Sequence, residues 1–218
     1  MTDIKFCGLT RPEDAALAAA LGARFAGVIF AGGPRQLTPA RAREVLAGLR
    51  GRDVMSVGVF GGQAAAAIAE MAADAGVDGV QLAGGVSRDH LIALRQSFSG
   101  PIWAVLHTDP ATSRPAGNAS EWYHYGCEAV VLDAAVPGKL GGTGMTLDWA
   151  ALAPAVARLR GVGRVVLAGG LRPENVQQAV QLARPDVVDV SSGVESAPGI
   201  KDPERMRAFV AAVRAGEV

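Results

Sequence analysis

The stretch Arg164-Val165-Val166-Leu167-Ala168-Gly169-Gly170-Leu171 is a short apolar run that ends in two glycines. A second stretch of the same kind, Val187-Val188-Asp189-Val190-Ser191-Ser192-Gly193, follows one helical segment later. Valine-rich runs without strict alternation are typical of strands that are buried on both faces, as in a parallel sheet. The two stretches therefore predict two parallel strands, each ending in a glycine-containing loop.

The same pattern recurs along the whole chain, because Ala-rich segments opened by Thr, Ser or Pro alternate with short apolar runs. The eight predicted strands are Ile4–Cys7, Phe25–Phe30, Val54–Phe60, Gly79–Leu82, Ile102–His107, Ala129–Asp133, Arg164–Ala168 and Val187–Val190. Helices are predicted near Thr10–Leu21, Thr38–Leu49, Gln63–Ala75, Ser87–Ser97, Thr146–Arg160, Pro173–Leu182 and Asp202–Ala215, with a less defined one in the polar segment Ser113–Tyr125. In the first helix, Thr10 is the predicted N-cap and Gly22 the residue at which the helix stops.

Eight strand–helix units in 218 residues make about 27 residues per unit. Parallel strands need helical crossovers, and eight such units close into a (β/α)8 barrel, for which this length is near the lower limit. An open doubly wound sheet is the structural alternative, but no GxGxxG follows the first strand and no P-loop occurs. No linker-like stretch divides the chain, so we expect a single barrel domain over residues 1–218.

Composition excludes several classes of protein. The chain has 21 Lys+Arg and 21 Asp+Glu, a formal net charge of zero, and 50% apolar residues. A disordered chain would be less apolar, and a dedicated nucleic-acid binder would be more basic. We expect no membrane span and no signal peptide, and hence a soluble cytoplasmic protein. Two cysteines, Cys7 and Cys127, make no disulfide framework.

The ends of the last two strands carry the strongest local signal. Gly169, Gly170 and Gly193 let backbone N–H groups approach an anion, and the hydroxyl of Ser192 adds a donor. Barrels often bind phosphate at these two loops, on the face that carries the active site. Ordinary tight turns are the alternative interpretation. We favour a phosphate site and hence a small phosphorylated ligand.

Three further strand-end residues are candidates for chemistry. Cys7 and Asp133 end strands on different sides of the barrel, where a thiol base and a carboxylic acid would flank a substrate. Position alone is equally compatible with a buried core cysteine and a turn aspartate. Arg35, just beyond the second strand, is suited to bind a carboxylate bidentately, or it is a solvated loop residue.

Other strand-end features are less specific. Gln81, near the end of the fourth strand, is a further candidate for substrate binding. His107 ends the fifth strand, where Asp109 would orient it, but polar lining is the commoner role of such a histidine. The loop Gly141–Gly144, which Lys139 precedes, is either a lid or a simple connection. No His, Asp and Glu group has metal-ligand spacing, so we expect no metal.

Read in order, the strand-end segments resemble those of the phosphoribosylanthranilate isomerases of tryptophan biosynthesis. The match covers essentially the whole chain. Its most specific parts are the Lys-x-Cys-Gly start and the Ser-Gly-Val-Glu-x-x-Pro-Gly-x-Lys end. The matching segments include Lys5–Thr10, Gly33–Arg35, Val80–Leu82, Leu132–Asp133, Gly141–Gly144, Leu167–Leu171, Asp189–Glu195 and Pro198–Asp202.

The resemblance implies an Amadori rearrangement of N-(5-phosphoribosyl)anthranilate to 1-(2-carboxyphenylamino)-1-deoxyribulose 5-phosphate. The family's general base maps to Cys7 and its general acid to Asp133, while its carboxylate-binding arginine maps to Arg35. The phosphate would sit on the backbones of Gly169–Gly170 and Ser192–Gly193. No cofactor is implied, because the imine formed on ring opening serves as the electron sink.

The chain departs from the family pattern at two positions, since Ala83 replaces the usual histidine and Gly33 the usual serine. A related bifunctional isomerase uses aspartate where this chain has Cys7, so that variant is disfavoured. Two alternatives stay open: another phosphate-binding barrel enzyme, such as an indole-glycerol-phosphate synthase, and a non-catalytic barrel that binds a phosphorylated ligand. We expect a monomer or a homodimer.

Overall fold

The computed structural model describes residues 1–84, 87–109, 111–115, 118–134 and 146–217, but not the side chain of Arg114. Eight parallel strands form the sheet, and each pairs with the next along the chain. They are β1 (Asp3–Phe6), β2 (Phe25–Ile29), β3 (Met55–Phe60), β4 (Gly79–Leu82), β5 (Ile102–Asp109), β6 (Ala129–Ala134), β7 (Arg164–Leu167) and β8 (Val187–Val190). β1 also pairs with β8, from Asp3 opposite Val187 to Phe6 opposite Val190, and this pairing closes the barrel. The predicted (β/α)8 barrel is confirmed.

A helix follows each strand and packs on the outside of the barrel. The helices are α1 (Pro12–Ala20), α2 (Pro39–Leu46), α3 (Ala65–Ala75), α4 (Arg88–Arg95), α5 (Ala119–His124), α6 (Trp149–Arg160), α7 (Val176–Ala183) and α8 (Pro203–Ala215). In α7 the buried residues Val176, Ala179, Val180 and Ala183 recur at helical spacing, so one stripe faces the sheet. The polar segment before β6 does contain a helix, although a short one.

The threonines at the start of the first two predicted helices have different roles. Thr38 caps α2, because its side chain accepts a hydrogen bond from the backbone N–H of Arg41. The prediction for Thr10 is wrong: Arg11 occupies the N-cap position of α1 and makes no side-chain cap bond. The Thr10 hydroxyl instead donates to the carbonyl oxygen of Gly199, 2.5 Å away. This bond joins the loop after β1 to the segment that follows β8.

The structure also contains short strands and a 3-10 turn that were not predicted from the sequence. Arg114–Pro115 pairs antiparallel with the end of β5. After β8, a 3-10 turn at Ser192–Val194 leads into a hairpin of Glu195–Ala197 with Ile200–Lys201. Within the described ranges, no helix is both long and apolar enough to cross a membrane.

Two apolar layers lie on either side of the sheet. One packs between the strands and the helices. The other fills the inside of the barrel with side chains that include Val57, Trp103 and Val166. The rings of Phe25 and Trp103 meet edge to face there, with centroids 4.8 Å apart. Because these side chains fill the middle of the barrel, a ligand has room beyond this apolar layer, at an end of the barrel.

Candidate active site

A cavity of about 360 Å³ opens at the carboxyl ends of the strands. All the site residues predicted above line it, namely Cys7, Arg35, Gln81, Asp133, Gly169, Gly170, Ser192 and Gly193. His107 and the two positions that depart from the family pattern, Gly33 and Ala83, line it too. Residues far apart in sequence thus meet in one pocket, although their roles stay predictions.

The alternation of side chains along a strand explains why the pocket is polar. Successive inward-facing residues of one strand lie two apart, so the inward residue that follows the last apolar one faces the open end of the barrel. Val131 on β6 and Val187 on β8 belong to the interior apolar layer. Two positions further on come Asp133 and Asp189, which line the cavity. The apolar layer is therefore the floor of the site, and the next layer supplies its chemistry.

Cys7 lies directly after β1 and is buried beside the ammonium group of Lys5. Burial raises the pKa of the Cys7 thiol above its usual range, while the positive charge of Lys5 works in the opposite direction. Lys5 is itself fully buried, and its Nζ lies 2.8 Å from Oδ2 of Asp189. A Cβ on Gly27 would lie 2.8 Å from the Cys7 sulfur and 3.2 Å from this ammonium. The glycine thus leaves room for the two groups to meet.

Asp133 faces the cavity from β6, on the other side of the barrel from β1. Burial, followed by the charge of Asp189, raises the pKa of this carboxyl to about 6. The charge of His107 opposes the rise, as does a hydrogen bond from the backbone N–H of Ala134. His107 lies opposite Asp133 in the register of β5 and β6. A carboxyl group in this state is suited to donate a proton near neutral pH.

Asp109, considered above as an orienting partner of His107, makes other contacts. The Asp109 carboxylate accepts instead from the backbone N–H of Ala111 and from the hydroxyl of Thr112. The reason is local geometry, since an aspartate at the end of a strand commonly bonds to the backbone two residues on.

Arg35 reaches the cavity from the loop after β2 and forms a fork with Glu195. Its Nε lies 2.8 Å from Oε1 and its Nη2 lies 2.6 Å from Oε2. Lys201 donates to the same carboxylate at 2.8 Å, and to the carbonyl oxygens of Cys7 and Ser191 at 2.6 and 3.0 Å. Burial raises the pKa of Glu195, but the bond from Arg35 and the charge of Lys201 outweigh it, and the net pKa is lowered.

Sequence reasoning did not assign a role to Lys5, Asp189, Glu195 or Lys201. Each lies inside a segment that carries the family resemblance. Their importance comes from contacts between residues at opposite ends of the chain. A lysine in a predicted buried strand, such as Lys5, is the feature that points to such a partner, because a buried charge needs an opposite charge.

The glycines after β7 and β8 bring two loops into contact. Gly169 and Gly170 have φ angles of +86° and +65°, which favour glycine. A Cβ on Gly193 would lie 1.9 Å from the carbonyl oxygen of Leu171, so only glycine fits between the loops. Among the described residues, none accepts a hydrogen bond from the backbone N–H of Gly169 or Gly170. Backbone donors in this arrangement fit a phosphate group.

Three buried polar atoms of cavity-lining residues also lack a partner in the part of the chain that the structure describes. They are Oε1 of Gln81, Oδ1 of Asp189 and Oγ of Ser191. Buried polar groups are normally hydrogen-bonded, so atoms of this kind indicate a polar ligand. The loop Gly141–Gly144 and Lys139, considered above as a lid, lie outside the described residues.

Comparison with known proteins gives a consistent result. A family model for N-(5'-phosphoribosyl)anthranilate isomerase matches residues 4–212. The isomerase of that name from Acidithiobacillus ferrooxidans is 42% identical over 98% of this chain and 98% of its own length. The crystal structure of phosphoribosyl anthranilate isomerase from Thermotoga maritima superposes with a TM-score of 0.85, at 30% identity, over 98% of this chain and 99% of that one.

A further solved structure of this isomerase contains reduced 1-(o-carboxyphenylamino)-1-deoxyribulose 5-phosphate. It superposes with a TM-score of 0.81, at 28% identity, over 98% of this chain and 99% of that chain.

Proposed function

The chain belongs to the N-(5'-phosphoribosyl)anthranilate isomerase family, and we propose that it rearranges its substrate with Cys7 as general base and Asp133 as general acid. The family acts in tryptophan biosynthesis, and this membership removes the other phosphate-binding barrel enzymes from consideration. The assignment of the two residues rests on their positions in the cavity.

The reaction is an isomerisation, in which protons move while the substrate keeps all its heavy atoms. Asp133 donates a proton to the furanose ring oxygen, the bond from C1 to that oxygen breaks, and the lone pair of the anthranilate nitrogen forms a protonated imine with C1. The Cys7 thiolate then removes the proton from C2, and the imine accepts the electron pair. The resulting enolamine becomes the ketone when O2 loses its proton and C1 gains one.

The observation that carries the proposal is the state of Asp133 opposite Cys7. A carboxyl with a pKa of about 6 keeps its proton readily enough to act as an acid near neutral pH. It lies in the same cavity as Cys7 but on a strand across the barrel. Two groups placed in this way act on different atoms of one bound substrate rather than on each other.

Lys5 supports the role of Cys7 as a base. Its buried ammonium favours the thiolate over the thiol, and so opposes the effect of burial on the pKa of Cys7. Asp189 holds the ammonium in place at 2.8 Å. Without this neighbour, a thiol buried at the end of β1 would remain protonated over a wider range of pH.

The two ends of the substrate fit two different parts of the cavity. The phosphate fits the backbone donors of Gly169 and Gly170, where the loops after β7 and β8 meet. The anthranilate carboxylate fits Arg35, which reaches the cavity from the loop after β2. A substrate held at both ends places its sugar between Cys7 and Asp133.

The test is the loss of anthranilate-adduct fluorescence with purified protein. We expect Cys7→Ser and Asp133→Asn each to lower kcat/KM by roughly 10²–10⁴-fold, the usual contribution of a general base or acid. Cys127→Ser is the matched control, since Cys127 is also buried but lies before β6, away from the cavity. It should retain activity. An inert wild type, or full activity in Asp133→Asn, would contradict the proposal.

The single-domain extent over residues 1–218, the cytoplasmic location and the choice between monomer and homodimer remain predictions from the sequence.

A further inference from the structure

Arg35 is oriented by protein contacts before any ligand binds. Gly32 and Gly33 precede it in the loop, both with a φ of +89°, and a Cβ added to either glycine would meet nothing within 4 Å. These two glycines therefore do not fix the direction of the Arg35 side chain. The fork with Glu195 does so, since it uses Nε and one N–H of Nη2. A planar guanidinium held along one edge presents its other edge in a fixed direction.

The outer edge of the guanidinium remains available to a ligand. It consists of Nη1 and the second N–H of Nη2, and no described residue accepts a hydrogen bond from Nη1. Arg35 lines the cavity, and its side chain is 17% exposed. Two parallel N–H groups on this edge match the two oxygens of a carboxylate.

Glu195 is itself immobilised by Lys201. The Glu195 side chain is 4% exposed and the Lys201 side chain 0%. The three acceptors of Lys201 use all three protons of an ammonium, so this group is charged. Because two of them are the carbonyl oxygens of Cys7 and Ser191, the fork is anchored to the loops that carry the base and the phosphate site.

The aliphatic part of the Arg35 side chain packs closely against Gly8. A Cβ on Gly8 would lie 2.6 Å from Cδ of Arg35 and 2.9 Å from Oγ of Ser191. Gly8 also has a φ of +68°, so a larger residue is disfavoured twice. The glycine of the Lys-x-Cys-Gly segment thus makes room for Arg35 beside Cys7.

The charge of this network favours an anion beside it. Arg35, Glu195 and Lys201 together carry a net charge of +1 in a largely buried environment, and the Cys7 thiolate of the active form is one negative charge that interacts with Lys201. Buried charge is stabilised by pairing, and a ligand carboxylate on the outer edge of Arg35 pairs directly with the guanidinium. The network therefore fits an anion at the aromatic end of the substrate better than a neutral group.

We propose that Glu195 is a positioning residue that makes this site select substrates with a carboxylate ortho to the amine, by holding Arg35 so that only its outer edge faces the ligand. The inference rests on the proposed function, because it assumes that Arg35 meets the anthranilate carboxylate. Beyond that function, Glu195 is the residue on which the selectivity for a carboxylate depends.

The test compares two ligands by calorimetry, without turnover. One is reduced 1-(2-carboxyphenylamino)-1-deoxyribulose 5-phosphate, and the other is the same compound with a plain phenylamino group. We expect the wild type to prefer the first by roughly 10–100-fold, the effect of a charge-assisted bidentate bond. In Glu195→Gln this preference should fall to about threefold or less, while affinity for the phenylamino ligand changes by less than about twofold.

Asp186→Asn is the matched control. The Asp186 carboxylate also accepts from an arginine, with Arg160 Nε at 2.8 Å, and from the backbone N–H of Val165 at 2.9 Å, but neither Asp186 nor Arg160 lines the cavity. It should leave the ligand preference unchanged. Glu195→Asp, which keeps the charge but shortens the side chain, should give an intermediate preference and serves if Glu195→Gln does not fold.

The outcomes separate the inference from the proposed function. An unchanged or larger preference in the Glu195 variants would overturn the inference, because the lost negative charge would then matter more than the lost geometry. An equal fall in affinity for both ligands would also overturn it, since that is the effect of general loosening. A wild type that binds neither ligand would overturn the proposed function itself, and the inference with it.

Discussion

Asp133 and Cys7 have pKa values in the opposite order from the one that their proposed roles need. The pKa of the acid is about 6, and that of the base is raised above its ordinary value. At neutral pH most molecules therefore carry a carboxylate and a thiol, while the active form has a carboxylic acid and a thiolate. The positive charges of Lys5 and Lys201 reduce the difference between the two pKa values, since both lower the pKa of Cys7.

This order predicts a particular pH profile of kcat/KM. Below pH 6 the Asp133 carboxyl is protonated, and the fraction of Cys7 present as thiolate rises tenfold with each pH unit. The rate therefore rises with pH. Between the two pKa values the gain in thiolate balances the loss of the protonated carboxyl, so the rate is level. Above the pKa of Cys7 it falls. We expect a break near pH 6 in the wild type, measured by initial rates at low substrate.

The substrate phosphate also titrates near pH 6, so a variant must separate the two groups. In Asp133→Asn the residual rate should follow the thiolate alone and continue to rise beyond pH 6. A break that persists at pH 6 in this variant would assign it to the substrate and count against Asp133 as the acid.

At the scale of elements, the site depends on how closely the loops after β7 and β8 approach. Gly193 lies in the 3-10 turn after β8 and touches the carbonyl oxygen of Leu171 in the loop after β7. If these loops moved apart, the backbone N–H groups that fit the phosphate would no longer lie close enough together to bind it. The barrel strands themselves would be unaffected, because the contact lies beyond their ends.

We therefore expect Gly193→Ala to weaken competitive inhibition by inorganic phosphate at least roughly tenfold, the loss expected for one charge-assisted hydrogen bond. A Cβ there would start 1.9 Å from a backbone oxygen, so one loop must move. Gly62→Ala, in the loop after β3, is the control, since a Cβ on Gly62 meets nothing within 4 Å. Equal inhibition constants in wild type and Gly193→Ala would exclude the phosphate from these loops.

At the scale of the whole molecule, the site lowers the free energy of unfolding. The folded protein holds the proton of Asp133 up to about pH 6, whereas the unfolded chain releases it near its ordinary pKa of 3.8. Between these values the folded state binds more protons than the unfolded state, so stability falls as pH rises. The barrel thus loses stability in the same pH range in which Asp133 becomes ionised.

Asp133→Asn removes this penalty, since an amide carries no charge to desolvate. We expect it to raise the free energy of unfolding at pH 7 by about 1–3 kcal/mol relative to wild type, and to have little effect at pH 4. Urea unfolding followed by tryptophan fluorescence at the two pH values measures the difference. The exposed Asp74→Asn serves as the control, with an expected change within about 0.5 kcal/mol at both. A destabilised Asp133→Asn at pH 7 would contradict this account.

The barrel and the outline of the site could be predicted from local sequence patterns. Each apolar run and each helix is a local pattern, and the period of two along a strand fixes which residue follows the last buried one into the cavity. For that reason Cys7 and Asp133 were predictable as strand-end groups. The hairpin of Glu195–Ala197 with Ile200–Lys201 was not, since strands of three and two residues carry no periodicity.

The contacts and the charge states of those groups could not be predicted in this way, because they depend on the folded arrangement of the chain. Lys5 meets Asp189 across 184 positions of sequence, Arg35 meets Glu195 across 160, and Lys201 meets the carbonyl of Cys7 across 194. These contacts depend on the closure of the barrel and on the approach of the chain's end to its first loops. Local patterns constrain neighbours in sequence, whereas an ion pair or a shifted pKa depends on which charges burial brings within a few ångströms.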